Sequence, residues 1–483
     1  MAGRADEFMR ESDAFSWYLE NDPALRATII TVAWLDQVPN WEILLDRVER
    51  FSRLVPIFRL RPVEPPGRLA TPRWTLDPDF DLSRHLHRVP CPAPHTPETV
   101  LDIARVAAMT AFDTAHPLWE LTLFEDLTDG AAALVMKLHH SLTDGLGGMQ
   151  LLLVLFDTVA DPPPPGPLPE PPTGTVPGMA ELVARSVIHR GKEILGMARR
   201  PATGSLPAAS RAGRHPIRSW RDAIETFRSV GRAVAPVSET LSPVMTARGL
   251  GRRFATLQVG LDELKKASAA AGGSLNDGFL ASVTGGLRRY HERHGAPVRE
   301  LRITLPISVR TPDDPAPGNR MTLERFKVPV DVADPAARIR AIGKLCRAAR
   351  KERSLPHANA IAGTLNLLPS GAVGSMLKHV DFVASNVAGP PFPVYLAGAR
   401  VTGYIPFSPT IGAAVNITLL SYNGTCGVGV TFDTSAIPDT AMFMSCLTEG
   451  FAEVLALTGS KPESHATQLP NTNEQVRRPL ARA

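Results

Sequence analysis

The chain has 483 residues, 44% of them apolar and 21% charged, an ordinary globular composition with length for two cores. A balance of 52 basic against 48 acidic side chains leaves a net charge of +4, which argues against a protein that binds nucleic acid through its overall charge. Four scattered cysteines, Cys91, Cys346, Cys426 and Cys446, form no C-x-x-C pair; this disfavours a zinc site or a disulfide framework and fits a reducing cytoplasm.

The N-terminus, with Arg4, Asp6, Glu7, Arg10 and Glu11, has no apolar h-region and is not expected to be a signal peptide. Unbroken apolar runs such as Leu151–Phe156 are too short to span a bilayer. Trp41, Leu44, Leu45, Val48 and Phe51 recur at helical spacing after Asn40, a good N-cap residue. His85 and His87 alternate within a polar, strand-like segment; with no third ligand nearby they read as surface residues, and no metal site is expected. Thr96-Pro97-Glu98 opens a second helix, with Val100, Ile103, Ala104 and Ala107 on one face. Residues Leu118–Asp126 and Ala131–Leu138 read as strands joined through the turn signal Asp129-Gly130. The second strand runs into His139-His140, and a helix carrying Met149, Leu152, Leu153 and Phe156 is expected from about Leu146.

These elements define a first domain over residues 1–160. A proline-rich, basic linker with helical segments follows over 161–252, from the Pro162-Pro163-Pro164-Pro165 run to an arginine-rich stretch between Arg185 and Arg232. The second domain, 253–458, holds a helix from Ser274 to about His294, with Leu275, Phe279, Val283, Leu287 and Tyr290 in one stripe. A strand is expected at Leu301–Val309, a helix from Asp334-Pro335, and a hairpin of Val415–Tyr422 with Cys426–Phe432 across Asn423-Gly424. Residues 459–483 are polar, unpatterned and expected to be disordered.

The segment that carries chemistry is His139-His140-Ser141-Leu142-Thr143-Asp144-Gly145. Imidazole, with an ordinary pKa of about 6.5, is neutral enough near pH 7 to accept a hydroxyl proton. A strand terminus holds such a ring rigidly, Asp144 can turn back to fix the backbone, and Gly145 permits a conformation that a side chain resists. The plain structural reading is two polar residues ending a strand before a turn; the complete pattern in this context favours catalysis. No G-x-S-x-G elbow, phosphate-binding loop or G-x-G-x-x-G accompanies it.

With this segment the chain resembles the bacterial wax ester synthase/diacylglycerol acyltransferase family, whose HHxxxDG signature is shared with chloramphenicol acetyltransferase-like and peptide-synthetase condensation enzymes. Local matches narrow the resemblance: Pro117-Leu118-Trp119, Asn276-Asp277, Leu305 to Arg310 as Pro-x-Ser-x-Arg, Gly318-Asn319, and Ser385-Asn386-Val387-Ala388-Gly389-Pro390, where Ala388 replaces a usual proline. Ser12-Asp13-Ala14-Phe15 resembles the family's opening segment, and the matches run in order over roughly residues 10–455. Each match also has a plain reading: Trp119 as a packed indole, Ser274 with Asp277 as a helix cap, and Ser385 to Pro391 as a loop.

The resemblance implies an α/β fold of two chloramphenicol acetyltransferase-like domains with mixed sheets and an interdomain active-site tunnel. It implies His140 as general base, supported by His139, with Asn276 from the second domain as oxyanion donor. Asp144, Gly145, Asp277 and Arg310 are expected to be structural at the site, with Asp144 expected to pair with Arg310. Pro117, Leu118, Trp119, Ser385, Asn386, Gly389 and Pro390 are the tunnel candidates. The expected reaction moves a long-chain acyl group from acyl-CoA, a co-substrate, to diacylglycerol, with no bound cofactor. Alternatives are a wax ester synthase using long-chain alcohols, a carrier-protein-dependent polyketide-associated acyltransferase, and a lipid-binding paralogue without activity. The basic linker suggests peripheral contact with a membrane or lipid droplet.

Overall fold

The computed structural model describes residues 7–143, 147–148, 153–174, 176–192, 237, 239–308, 321–351, 362–363, 365–366, 374 and 377–459. Most of the basic linker, Met149 to Leu152 of the expected helix, Gly318-Asn319 and the tail from residue 460 lie outside this set.

In chain order the first part runs α1 (Glu11–Leu19), β1 (Thr28–Leu35), α2 (Trp41–Leu54), β2 (Leu60–Val63), β3 (Arg73–Leu76), β4 (Leu86–Pro90), α3 (Pro97–Met109), β5 (Trp119–Glu125) and β6 (Ala132–His139). The later part runs β7 (Arg252–Gly260), α4 (Leu261–Ala270), α5 (Leu275–Arg293), β8 (Glu300–Ser308), β9 (Met321–Pro329), α6 (Pro335–Ala349) and β10 (Phe382–Ala388). It continues through β11 (Tyr395–Leu396), β12 (Ala399–Phe407), β13 (Val415–Tyr422), β14 (Thr425–Asp433) and α7 (Thr440–Leu455). Two six-stranded mixed sheets result, ordered β11-β12-β1-β6-β5-β4 and β7-β14-β13-β10-β8-β9, with β2 and β3 as a separate ribbon.

Helix starts follow local chemistry. Asn40 accepts the Ile43 N–H at 3.1 Å, and Asp334 accepts that of Ala337 at 2.7 Å. Ser274 and Asp277 form a reciprocal capping box on α5. The Asn423-Gly424 turn has both residues at positive φ, 43° and 85°, as a two-residue hairpin requires. α2 buries Leu44, Val48 and Phe51, the stripe expected of it. The proline-rich segment lies along this helix, where Arg50 donates to the Gly166 and Pro167 carbonyls and Arg53 to that of Pro169.

The second part does not serve one sheet alone. β12 crosses to the first sheet and pairs antiparallel with β1, from Ile30↔Phe407 to Leu35↔Val401. Residues 395–407 therefore complete the sheet that carries β6, although they fall inside the expected second domain. Sheet membership is fixed by long-range pairing, which local periodicity does not record.

A second departure lies at Ser385 to Ala388, expected as a loop but forming the end of β10, parallel to β13 over Phe382 to Ala388. On its other edge β10 meets β8 only at Phe382↔Ile303 and Val383↔Thr304. Pro306 explains the break. The Arg302 carbonyl faces β10, accepting from Asp381 N–H, so alternation also turns the backbone groups of Thr304 and Pro306 towards β10. Proline has no N–H to continue the ladder, and the sheet opens between two parallel strands at their C-terminal ends.

The segment Thr440–Thr458 is long and apolar enough to cross a membrane by length and composition alone, as the core helix of a globular domain also can be. It includes α7, which packs against α5 and buries Phe443, Cys446, Leu447, Phe451 and Val454 in the core of the second sheet.

Candidate active site

β6 is buried along its whole length and carries the histidine pair at its C-terminal end, between β1 and β5 in the first sheet. Main-chain bonds fix the delivery: His139 N–H donates to Leu118 O at 3.0 Å, and His140 N–H donates to Ala27 O at 2.9 Å. Leu142 N–H then returns to His139 O at 3.0 Å, turning the chain. His139 is 1% exposed and His140 8%, so His140 is the less deeply buried residue of the two.

The His139 ring is hydrogen-bonded through Nδ1 and faces a carboxylate at Nε2. Nδ1 accepts the Ser141 N–H at 3.1 Å and lies 2.7 Å from Ser141 Oγ. A backbone N–H on Nδ1 places the proton of the neutral ring on Nε2, which lies 3.4 Å from Glu20 Oε2. Glu20 Oε2 also accepts the Ala27 N–H at 3.0 Å, and Oε1 pairs with Arg26 Nε at 2.9 Å. Burial pushes the Glu20 carboxyl up, but His139, the Ala27 N–H and Arg26 outweigh it and hold the group below its ordinary 4.5. Trp17 and Phe112 pack edge-on to the His139 ring at 6.0 and 6.1 Å.

Asp144, Gly145 and Arg310 lie outside the described residues, and the expected Asp144–Arg310 pair with them. Asp277 belongs to the cap of α5: its Oδ2 accepts from Ser274 N–H at 2.9 Å and Ser274 Oγ at 2.8 Å. Asn276, one residue earlier on α5, directs its amide to Cys346 Sγ on α6 at 3.9 Å. Leu118 and Trp119 are wholly buried in the core of the first sheet, where the indole donates to Phe58 O at 2.8 Å; Pro117 is buried beside them. Ser385 and Asn386 are half-buried on β10, beyond its pairing with β8. Gly389 N–H donates to Ser421 O, and Pro390 O accepts from Asn423 N–H.

The surface reading of His85 is corrected. Its ring is 2% exposed, stacks on Trp119 at 4.5 Å and Phe80 at 5.2 Å, and sits 2.8 Å from Trp119 O through Nδ1. The polar neighbours of His85 hid this, because both aromatic partners come from outside its own strand. Glu20 and Ala27 were missed as well: an acidic residue after the apolar Trp17-Tyr18-Leu19 has no local sign of pairing with a histidine 119 positions away in the sequence. No cluster of metal-ligating side chains occurs among the described residues.

A cavity of about 240 Å³ opens at the seam between the sheets, walled by Arg26, Thr28, Met109, Arg252, Phe254 and Phe407 among others. Neither histidine lines it, but Arg26 and Thr28 belong to both the cavity wall and the surroundings of His139. The buried hydroxyls of Thr28 and Thr431 have no protein partner in that wall. Chemically, the arrangement offers an anchored imidazole at the end of a central strand, near a space walled by apolar, hydroxyl and guanidinium groups.

Residues 9–279 match the wax ester synthase/diacylglycerol acyltransferase catalytic domain, and residues 317–454 match the C-terminal domain of the same family. A Mycobacterium tuberculosis H37Rv protein named as a diacylglycerol O-acyltransferase is 35% identical over 445 residues, covering 91% of this chain and 90% of its own. A second from that strain is 29% identical over 485 residues, covering 94% and 98%. Among solved structures, the wax ester synthase/diacylglycerol acyltransferase of Marinobacter aquaeolei VT8 superposes with a TM-score of 0.62 at 22% identity, over 93% of this chain and 99% of its own. The first condensation domain of the calcium-dependent antibiotic synthetase shares the fold with a TM-score of 0.61 at 14% identity, over 97% and 100%.

Proposed function

The chain belongs to the wax ester synthase/diacylglycerol acyltransferase family and is an O-acyltransferase, and from that premise we propose that it transfers a long-chain acyl group from acyl-CoA to the free hydroxyl of diacylglycerol, with His140 as general base. The observation that carries this reading is the anchoring of His140: its N–H is bonded to Ala27 at the end of a fully buried strand, and it is the less deeply buried residue of the pair.

The acceptor hydroxyl gives its proton to the neutral His140 ring as its oxygen attacks the thioester carbonyl. A tetrahedral oxyanion forms, collapses by breaking the carbon–sulfur bond, and the departing CoA thiolate takes the proton back from His140. Acyl-CoA enters as co-substrate, and the step is balanced without a resident cofactor. Asn276 is the candidate oxyanion donor, since its long contact to Cys346 Sγ is weak enough to exchange for a charged oxygen.

The same reading places the protein against a lipid surface. Residues 179–192 are helical and expose Met179, Val187 and Ile188 at 65%, 56% and 57%, alongside Arg185, Arg190 and Lys192. Apolar tips among basic residues suit an anionic interface, where acyl acceptors accumulate. Salt-sensitive sedimentation with phosphatidylglycerol vesicles is the expected result; no vesicle binding at any salt concentration removes the lipid contact.

The test of the transfer is CoA release by purified protein with palmitoyl-CoA, comparing dipalmitoylglycerol with hexadecanol. Acceptor-dependent release is expected, highest with dipalmitoylglycerol, and folded His140→Ala should lose about 10²–10⁴-fold. Undiminished release by that variant overturns the assignment of the base. Preference for hexadecanol makes the product a wax ester instead.

A further inference from the structure

We infer that Glu20 is a positioning residue for acyl transfer, fixing the tautomer of His139 and, through Ala27, the backbone of His140. The inference rests on the reading of His140 as the base and adds a residue outside the histidine segment.

Glu20 follows α1 directly and reaches both histidines with one carboxylate. Oε2 accepts the N–H of Ala27 at 3.0 Å, and the carbonyl of that same residue accepts the N–H of His140 at 2.9 Å. The same oxygen lies 3.4 Å from His139 Nε2, long for a hydrogen bond, so the carboxylate acts on that ring chiefly through its charge. Arg26 braces Oε1 at 2.9 Å and is itself tied to the Met109 carbonyl at the end of α3. The carboxylate is thereby fixed from two elements.

The other side of His139 makes the sign of this charge matter. Ser141 N–H points at Nδ1, so the turn favours the ring with its proton on Nε2. A carboxylate facing Nε2 favours that tautomer; a carboxamide can present its own N–H and favour the opposite one. Nδ1–H would then face Ser141 N–H, donor against donor, with Ser141 Oγ left to accept it and the turn one residue beyond His140 disturbed. The carboxylate–imidazole–hydroxyl order of Glu20, His139 and Ser141 also occurs in serine hydrolases. Here Ser141 is wholly buried, so it has no access to an acyl carbonyl and the chain of contacts positions rather than attacks.

The experiment compares full-length wild type, Glu20→Gln and Glu20→Asp by kcat and KM for palmitoyl-CoA, by thermal melting, and by nitrogen-15 NMR of histidine-labelled protein. The His139 signal is assigned by its loss in His139→Asn. Wild type should show His139 as the Nε2–H tautomer. Glu20→Gln should move the signal towards Nδ1–H and lower kcat about tenfold to a hundredfold, as expected for a slightly misplaced base, with KM within about twofold. Glu20→Asp should keep the wild-type tautomer and an intermediate kcat, and it carries the test where the glutamine variant does not fold. An unchanged tautomer in folded Glu20→Gln overturns the inference, and so does a raised KM with unchanged kcat. Loss of turnover that merely follows loss of melting temperature, with the tautomer intact, overturns it too. Absence of acceptor-dependent CoA release in wild type defeats the acyl-transfer reading instead, while the tautomer result still decides what Glu20 does to His139.

Discussion

His85 and His139 are both buried, yet their surroundings treat charge differently. His139 faces a carboxylate, whereas His85 lies between Phe80 and Trp119, where burial pushes its pKa below 6.5 against the opposing pull of the Trp119 carbonyl. A histidine lowered in the fold binds its proton more weakly there than in the unfolded chain. Its contribution to stability is therefore complete above about pH 6.5 and is lost as pH falls through the lowered value. Glu20 acts in the same direction in a more acidic window: its contribution is present above about 4.5 and lost below it, through the depressed folded value. Melting curves should show stability declining from about pH 6.5 downwards. His85→Phe keeps the stack but removes the titration and one hydrogen bond, so it should cost about 1 kcal/mol at pH 8 and flatten the decline between pH 6.5 and 5. An equally steep decline in the variant assigns the loss to other groups. At this scale the sequence exposed residue types but not partners. The histidine pair and the Ser274–Asp277 cap were legible because their chemistry is local; Glu20 and the aromatic slot of His85 were not, because each is assembled from distant segments.

Elements bounded by side-chain caps or tight turns agree closely with their sequence signals. Asn40, Asp334 and Ser274 start helices where their oxygens can accept first-turn N–H groups, and Asn423-Gly424 closes its hairpin. β10 was illegible over Ser385 to Ala388 because Ser, Asn, Gly and Pro near one another usually mark a turn, and pairing with β13 overrides that preference. Pro306 gives this region its shape, and its effect is testable. Pro306→Val restores the missing N–H opposite β10, so the ladder should extend past Val383↔Thr304 towards Asn386. The recovered bond runs from the residue-306 N–H to a β10 carbonyl, and closing the gap also brings the residue-306 carbonyl, present in proline too, to the Asn386 N–H. A bond there is worth about 0.5–1.5 kcal/mol, which predicts hydrogen exchange at the Asn386 amide slowed roughly two- to tenfold. Unchanged exchange there would mean that twist, and not the absent donor, parts the strands. The gap lies at the C-terminal ends of parallel strands, where open sheets receive ligands, so closing it should also lower kcat/KM for the long acyl donor.

At the scale of the whole molecule, the two sheets touch through backbone. β12 joins the first sheet beside β1, and Gly427 and Gly429 of β14 in the second sheet lie against the Tyr404 and Pro406 carbonyls of β12. A Cβ at either glycine would fall well inside van der Waals contact with a carbonyl oxygen, so no side chain fits without moving the sheets apart. Two α/β halves were legible in the order of elements and in the family resemblance; this weld was not, since glycines in a strand record a close approach without naming what approaches. Gly429→Ala should cost roughly 1–3 kcal/mol, as an overpacked contact does, and the displacement passes along β12 to β1, whose first residue pairs with His139. Turnover should therefore fall together with melting temperature. Gly166→Ala, in the proline-rich segment with nothing within 4 Å of the added carbon, should change stability by less than about 0.5 kcal/mol and leave turnover alone. Wild-type turnover in a destabilised Gly429→Ala would show that the sheets can separate slightly without disturbing the histidine pair. The seam would then hold the molecule together without setting the geometry of its chemistry.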